Sequence, residues 1–331
     1  MGTVIVSAPT TVAVPPPKEL SGHLRALLTM VLWGQMVPGF VVLLAVWDPF
    51  ALSAARYVIA APIMVGALWI ARGLELPRRD EVGRLAVLGL VGMGGLITCY
   101  TYGLAHSDPV VAIIVQSAAP LTYTAVATLA YREPVPTGLG STLLLVIPGG
   151  LLLAAPALAG TAATPRGGEV LLIAGSVCWA WYSLQCRRWL PHYEEFRLTT
   201  WTIVAATPFL VALFFLLWSA GLTAPPDRPP PMQLNALLLW LTVSSSCVGI
   251  VLWHGSVRRL GVATAGLYFN VAPLVAMAIS AALGYVPTLL QLAGGALVLS
   301  GVGQLHARRW WAARRRERTA HRLDHPRGPL P

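Results

Sequence analysis

Thirteen carboxylates, seven histidines and four cysteines are the side chains through which this chain could bind a metal or make and break bonds. Their placement supports neither. Cys99, Cys178, Cys186 and Cys247 each sit inside an apolar run, and none forms a Cys-x-x-Cys pair. They read as small hydrophobic filler rather than as a disulfide or a ligand set. Every Asp and Glu falls in a predicted loop or at a predicted helix end, which weakens a proton pump built on a buried carboxylate. His106 and His254 lie near helix ends and read as interfacial residues rather than relays. The zincin, nucleophile-elbow and Walker signatures are missing from the sequence. Gly92-Met93-Gly94-Gly95 falls within an apolar run and reads as close helix packing. No catalytic set, metal site or cofactor is expected, and the chain is not expected to be an enzyme.

What remains are side chains suited to holding a small molecule without reacting with it. Arg56 lies inside an apolar run, about 10 Å from the run's start at 1.5 Å per residue. A charge at that depth either snorkels along its own stem or faces a polar cavity, where it would pair with a substrate carboxylate or a helix-end carbonyl. Gln116, Pro120, Tyr123 and Ala127 share one helical face, with Ser117 at its border. Pro120 and Pro273 each remove a backbone donor and free a carbonyl one turn earlier, near Gln116 and Phe269. Such a break serves either as a packing kink or as the lining of a cavity. Polar Gln116, Ser117 and Asn270 beside the kinks favour the cavity. Trp33, Tyr100, Trp179, Tyr182 and Trp253 add aromatic faces suited to apolar or cationic groups.

The elements that must position these residues are membrane helices. The chain is 56% hydrophobic and 11% charged, with a mean hydropathy of +0.67. A soluble domain carries roughly 25% charged residues. About twenty apolar residues cross a bilayer, and the apolar runs place about ten spans at 26–46, 50–70, 85–105, 110–131, 138–157, 170–186, 198–217, 234–257, 262–284 and 289–306. The sixth is the shortest. Residues 1–25 read as a disordered N-terminal tail, its stretch 1–17 ending in Pro15-Pro16-Pro17. Residues 307–331 read as a basic tail on an anionic leaflet, with Trp310 and Trp311 at the headgroups. The proline-rich connection 221–231 reads as stiff and extracytoplasmic.

The net charge of +10 does not point to nucleic acid, because the basic residues sit in short clusters between apolar runs. Anionic lipid is their expected partner. With both termini in the cytoplasm, 20 of the 23 Lys and Arg fall on that side, as the positive-inside bias requires. Arg166 and Arg228 fall outside, and Arg56 within the membrane. The cytoplasmic membrane of a cell is the expected location.

The sequence also repeats. At an offset of 146, Trp33 meets Trp179, Phe50 meets Phe196, Ala60 meets Ala206 and Pro62 meets Pro208. At 153, Tyr100 meets Trp253, and Ala119-Pro120 meets Ala272-Pro273. At 151, Pro136-Thr137 meets Pro287-Thr288. Two halves of five spans, 26–158 and 168–306, follow. Five is odd, so the second half enters the bilayer from the opposite side, which makes an inverted repeat.

These features resemble the ten-helix drug/metabolite transporter superfamily, specifically its EamA branch, over about residues 26–304. The resemblance rests on Leu32-Trp33-Gly34, Arg56, Ala119-Pro120 and Glu133-Pro134 in the first half. In the second it rests on Cys178-Trp179-Ala180, Ala272-Pro273, Gly294 and Gly301. It implies an all-α membrane protein with a pore between its halves, exporting amino acids, amines or drug-like compounds by alternating access. The chain departs from the pattern at Tyr285, where an acid is usual, and at Pro148-Gly149-Gly150. A non-transporting scaffold or accessory protein is the alternative. A nucleotide-sugar carrier is a further one, which would need more basic groups in the pore than Arg56 alone.

Overall fold

In a computed structural model of the chain, residues 16–107, 109–135, 138–153, 166–284 and 286–304 are described. The expectations for Asp108, Pro136-Thr137, Tyr285, the tail before Pro16 and the basic tail lie outside these residues. Among the described residues there is helix and no strand.

The chain runs through α1 (Pro16–Gly34 and Met36–Leu43, parted at Gln35), α2 (Pro49–Arg72) and α3 (Arg79–Ala105, with a π-helical stretch at Leu88–Gly94). Then come α4 (Pro109–Ser117, Ala119–Ala125 and Val126–Ala130) and α5 (Leu139–Leu153). The second half holds α6 (Gly168–Trp189), α7 (Glu195–Ser219) and α8 (Met232–Leu260, with a π-helical stretch at Thr242–Gly249). It ends with α9 (Val262–Ala282, with a 3₁₀ turn at Leu267–Val271) and α10 (Leu289–Gln304). Six of these, α1, α2, α3, α7, α8 and α9, are long and apolar enough to cross a membrane, and α5 and α10 are shorter apolar helices.

Several boundaries differ from the expected ones. α1 starts at Pro16, so residues 16–25 are helix and not tail. Prolines read as the end of the tail open the helix: proline lacks only an N–H that the first turn leaves unpaired, and Glu19 in that turn suits the helix dipole. α3 starts at Arg79 because the Glu81 carboxylate accepts the Arg78 backbone N–H at 2.9 Å and caps the helix. α6 is 22 residues long rather than the shortest span. Its polar last turn, Gln185 to Arg188, stays helical beyond the apolar run.

Helices pair between the halves in a regular way. α1 packs on the last part of α8, and α6 on the last part of α3; α2 packs on α7, and α4 on α9. α5 meets α10 through Gly149 and Gly294, so closely that a Cβ on Gly294 would stand 2.6 Å from the Gly149 carbonyl oxygen. First meets third, second meets second, fourth meets fourth and fifth meets fifth. Exchanging the halves maps this set of contacts onto itself, which is the signature of an approximate twofold relation. The Gly92 stretch packs as expected from sequence, since a Cβ there would meet the Tyr182 ring at 2.5 Å.

Alternate connections share an end. Arg72 pairs with Glu194 at 2.5 Å, Arg197 with Glu75 at 3.2 Å, Arg187 with Glu133 at 3.1 Å and Arg259 with Glu195 at 3.1 Å. Glu81 accepts from the Tyr193 hydroxyl at 2.7 Å and lies 2.7 Å from His192 Nε2. Burial, with that carboxylate beside it, pushes the Tyr193 phenol above its ordinary pKa. Gly22 of α1 packs beside Arg259 and Leu260 at the same basic end. At the opposite end, the Thr223 hydroxyl donates to Asp48, and the Gly168 N–H to the His106 carbonyl at 3.1 Å.

Candidate functional site

Where the halves meet, aromatic rings from five helices close on one another. Trp33 of α1 lies 5.8 Å from Trp179 of α6, 5.6 Å from Trp253 of α8 and 5.4 Å from Phe269 of α9. Trp253 meets Phe269 edge-on at 5.2 Å, and Trp179 stacks on Tyr182 at 5.2 Å. Tyr123 of α4 joins through Phe269 at 5.1 Å. These separations are those of favourable ring pairs. Trp179 and Tyr182 stand three apart on α6 and so share a face. Tyr123, Tyr182, Trp253 and Phe269 each lie seven residues from the basic end of their helix, a depth of about 10 Å. The cluster is a plug at one level. Trp253 and Tyr182 are fully buried, whereas Trp33 and Phe269 are half-buried.

Behind the plug, the Tyr182 hydroxyl lies 2.9 Å from both Thr202 Oγ1 and His254 Nε2. The Trp253 indole N–H donates to Ser183 at 2.9 Å. The Trp179 indole N–H is buried without a partner among the described residues.

A polar cluster adjoins the plug on the side away from the basic end. Its frame is the π-helical stretch of α8, where Ser244, Ser245 and Ser246 are all buried at the middle of the helix. π-turns loosen the backbone ladder and recur at functional sites. Here the Ser245 carbonyl accepts the Trp33 indole N–H at 3.1 Å. Gln35, at the break in α1, donates to Ser244 Oγ at 2.8 Å and accepts from the Trp240 indole at 2.9 Å. Arg56 donates through Nη2 to Ser246 Oγ at 2.6 Å, and its guanidinium stands 4.8 Å from the Phe40 ring centre. Arg56 Nε is buried with no hydrogen-bond partner among the described residues.

The paired prolines behave alike. Pro120 and Pro273 each occupy the first turn of a new helical stretch, after the breaks at Ala118 and at the 3₁₀ turn. Asn270 donates to the Ser117 carbonyl at 3.4 Å and is packed beside Gly150. Gln116 instead accepts from Tyr100 at 2.5 Å.

Of the residues singled out from sequence, Trp33, Tyr123, Trp179, Tyr182 and Trp253 come together in the plug. Arg56 stands on its far side, and Gln116 with Tyr100 and Asn270 with Ser117 form separate pairs. Tyr100 and Trp253, aligned by the repeat, are not in ring contact. Sequence reasoning missed Gln35, Phe40 and the three serines. A run of three hydroxyls in mid-span was the available signal, since polar groups at that depth need partners. At the basic end, a cleft of about 270 Å³ opens beside Glu133, Arg187, Gly261 and Thr264. No group of three or more His, Cys, Asp or Glu arranged for a metal occurs among the described residues.

Comparison with known proteins gives this arrangement a setting. The EamA-like transporter family matches residues 20–155 and again 166–305. A protein of Streptantibioticus cattleyicolor, named as a probable terminal-alkyne amino-acid exporter, is 27% identical over 304 residues, covering 90% of this chain and 97% of the relative. The uncharacterised transporter YyaM of Bacillus subtilis is 25% identical over 260 residues, covering 77% and 84%. The inner membrane protein YtfF of Escherichia coli is 26% identical over 313 residues, covering 86% and 94%. A crystal structure at 21% identity superposes with a TM-score of 0.73 over 88% of this chain and 99% of the other, a likeness of fold. With both copies of the family's domain matched and its helices apolar, the chain is a multi-pass membrane protein, and it belongs to the EamA-like transporter family.

Proposed function

We propose that the chain crosses the membrane ten times and carries small organic metabolites by alternating access of two inverted five-helix halves. The observation that carries this reading is the aromatic plug, built from α1 and α4 of one half and α6, α8 and α9 of the other, on the line where the halves exchange. Two halves of like structure and opposite orientation give two states of similar energy, open to either side. Both termini and the basic end face the cytoplasm, since Lys and Arg gather in cytoplasmic loops. The ion pairs there and the plug above them then describe a carrier closed to the cytoplasm. The protein acts in the cytoplasmic membrane, and export is the direction we assign. Amino acids, amines and drug-like compounds are the substrates to test first. The exporter named among the relatives supports beginning with amino acids.

The test is flux into and out of proteoliposomes with labelled members of each class. Flux above that of empty vesicles, saturable and lost on Trp253→Ala, is expected. No flux for any class with correctly folded protein would remove the reading.

A further inference from the structure

We infer that Arg56, with Ser246, is the recognition site for a carboxylate on the transported molecule. The inference rests on the transport reading and names the chemistry of its substrate.

Arg56 is a permanent cation about 10 Å inside α2. The ion pairs among the described residues all join other side chains, and its own contacts are a serine hydroxyl and the Phe40 ring. Neither neutralises it. A cation at membrane depth without a counter-charge is costly and is retained for function. Its Nε is buried and unmet, an unusual condition for a charged donor.

The surrounding groups are also short of acceptors. Ser246 Oγ accepts from Arg56, so its hydroxyl proton is left to donate. A hydroxyl donor beside one positive charge suits an ion that only accepts. A planar guanidinium matches carboxylate or phosphate through paired bonds. With no second cation beside Arg56 among the described residues, a singly charged carboxylate balances the site and a phosphate dianion does not. Trp33, bonded to the Ser245 carbonyl, sets the plug's aromatic face beside the serines. The molecule that fits both is a monocarboxylate with an apolar or aromatic body.

The experiment measures melting of the purified full chain in detergent against 3-phenylpropanoate, L-phenylalanine, 3-phenylpropanamide, phenethylamine and phenyl phosphate, alongside proteoliposome flux of the same compounds. The two carboxylates should raise the melting temperature at millimolar concentration, and the amide and amine should not. Arg56→Gln should weaken carboxylate binding by roughly tenfold or more, Ser246→Ala by less, and Arg56→Lys should keep part of it. The comparison of acid with amide uses the wild type, so a poorly folding variant cannot obscure it. Binding of the amide as well as the acid, preference for phenyl phosphate, absence of carboxylate binding, or undiminished binding in a folded Arg56→Gln would each overturn the assignment. Flux with such results would leave the transport reading standing. Carboxylate binding lost in Arg56→Gln, without flux of any compound, would uphold the site and remove transport.

Discussion

Arg187, in the last turn of α6, reaches 3.1 Å from Glu133, in the connection after α4, and fastens one half of the molecule to the other at the basic end. Both side chains are partly exposed, and such pairs add at most about 1 kcal/mol to stability. On the proposed carrier mechanism, their weight falls on which state is closed. Arg187→Glu should change transport severalfold while hardly moving the melting temperature. The exchange Glu133→Arg with Arg187→Glu should restore most of the rate. Flux and melting of both singles and the double decide it; a double no better than the singles means the pair does not hold the halves.

Hydrogen-bond direction around Tyr182 follows from counting protons. With the Thr202 hydroxyl proton on the Leu198 carbonyl, 2.9 Å away, Tyr182 gives its own to Thr202. His254 then donates from Nε2. His254→Gln, which offers an amide donor, should keep most of the stability. His254→Phe strands the tyrosine oxygen, at a cost of about 1–3 kcal/mol. Equal melting of the two variants would contradict this, as would nitrogen NMR finding the proton on Nδ1.

Asn270 bridges the two broken helices. Its amide meets the Ser117 carbonyl near the break in α4, with Gly150 packed alongside. Asn270→Leu removes that donor and brings a branched side chain to a crowded point. The variant should melt lower, by the equivalent of about 1–3 kcal/mol, whereas Ser117→Ala, which keeps the carbonyl, should change little. Flux per folded molecule then tells whether the amide also touches substrate. A drop there beyond the loss of folded protein would put Asn270 in the binding site.

Orientation can be read directly. A reporter active only outside the cytoplasm, fused within the 221–231 connection, should be active, and the same reporter after the C-terminus should be silent. The reverse pattern would turn the whole assignment over.

Much of the helix order was legible because membrane helices are written as apolar runs, and their loops as basic clusters. The proline pair Pro120 and Pro273 and the tryptophan pair Trp33 and Trp179 were legible through the repeat. Arg56 was conspicuous as a charge inside an apolar run, but its partner was not. Ser244, Ser245 and Ser246 look like small packing residues until a π-turn gathers their hydroxyls and carbonyls on neighbouring helices. Nothing local forecasts such a turn, which packs against α1 and α2. The start of α1 was missed for the opposite reason, because proline marks both a stop and a beginning.

The π-helical stretches at Leu88–Gly94 and Thr242–Gly249 occupy the same place in the third helix of each half. Each π-turn accommodates one residue more than an α-turn. The two stretches use that extra residue differently. One became a glycine groove for Tyr182, the other a shelf of serines for Arg56. Because the wide turn absorbs the extra residue, the helix after it keeps its phase. Deleting Ser245 should therefore let the stretch close to ordinary α-helix, with Trp253 and His254 still in the plug. Deleting Val91 should likewise disturb only the groove at Gly92. Reactivity of Cys247 toward a membrane-impermeant thiol reagent reads this out: it should stay low in both deletions, and a rise in the first would mean that α8 had turned by about 100°.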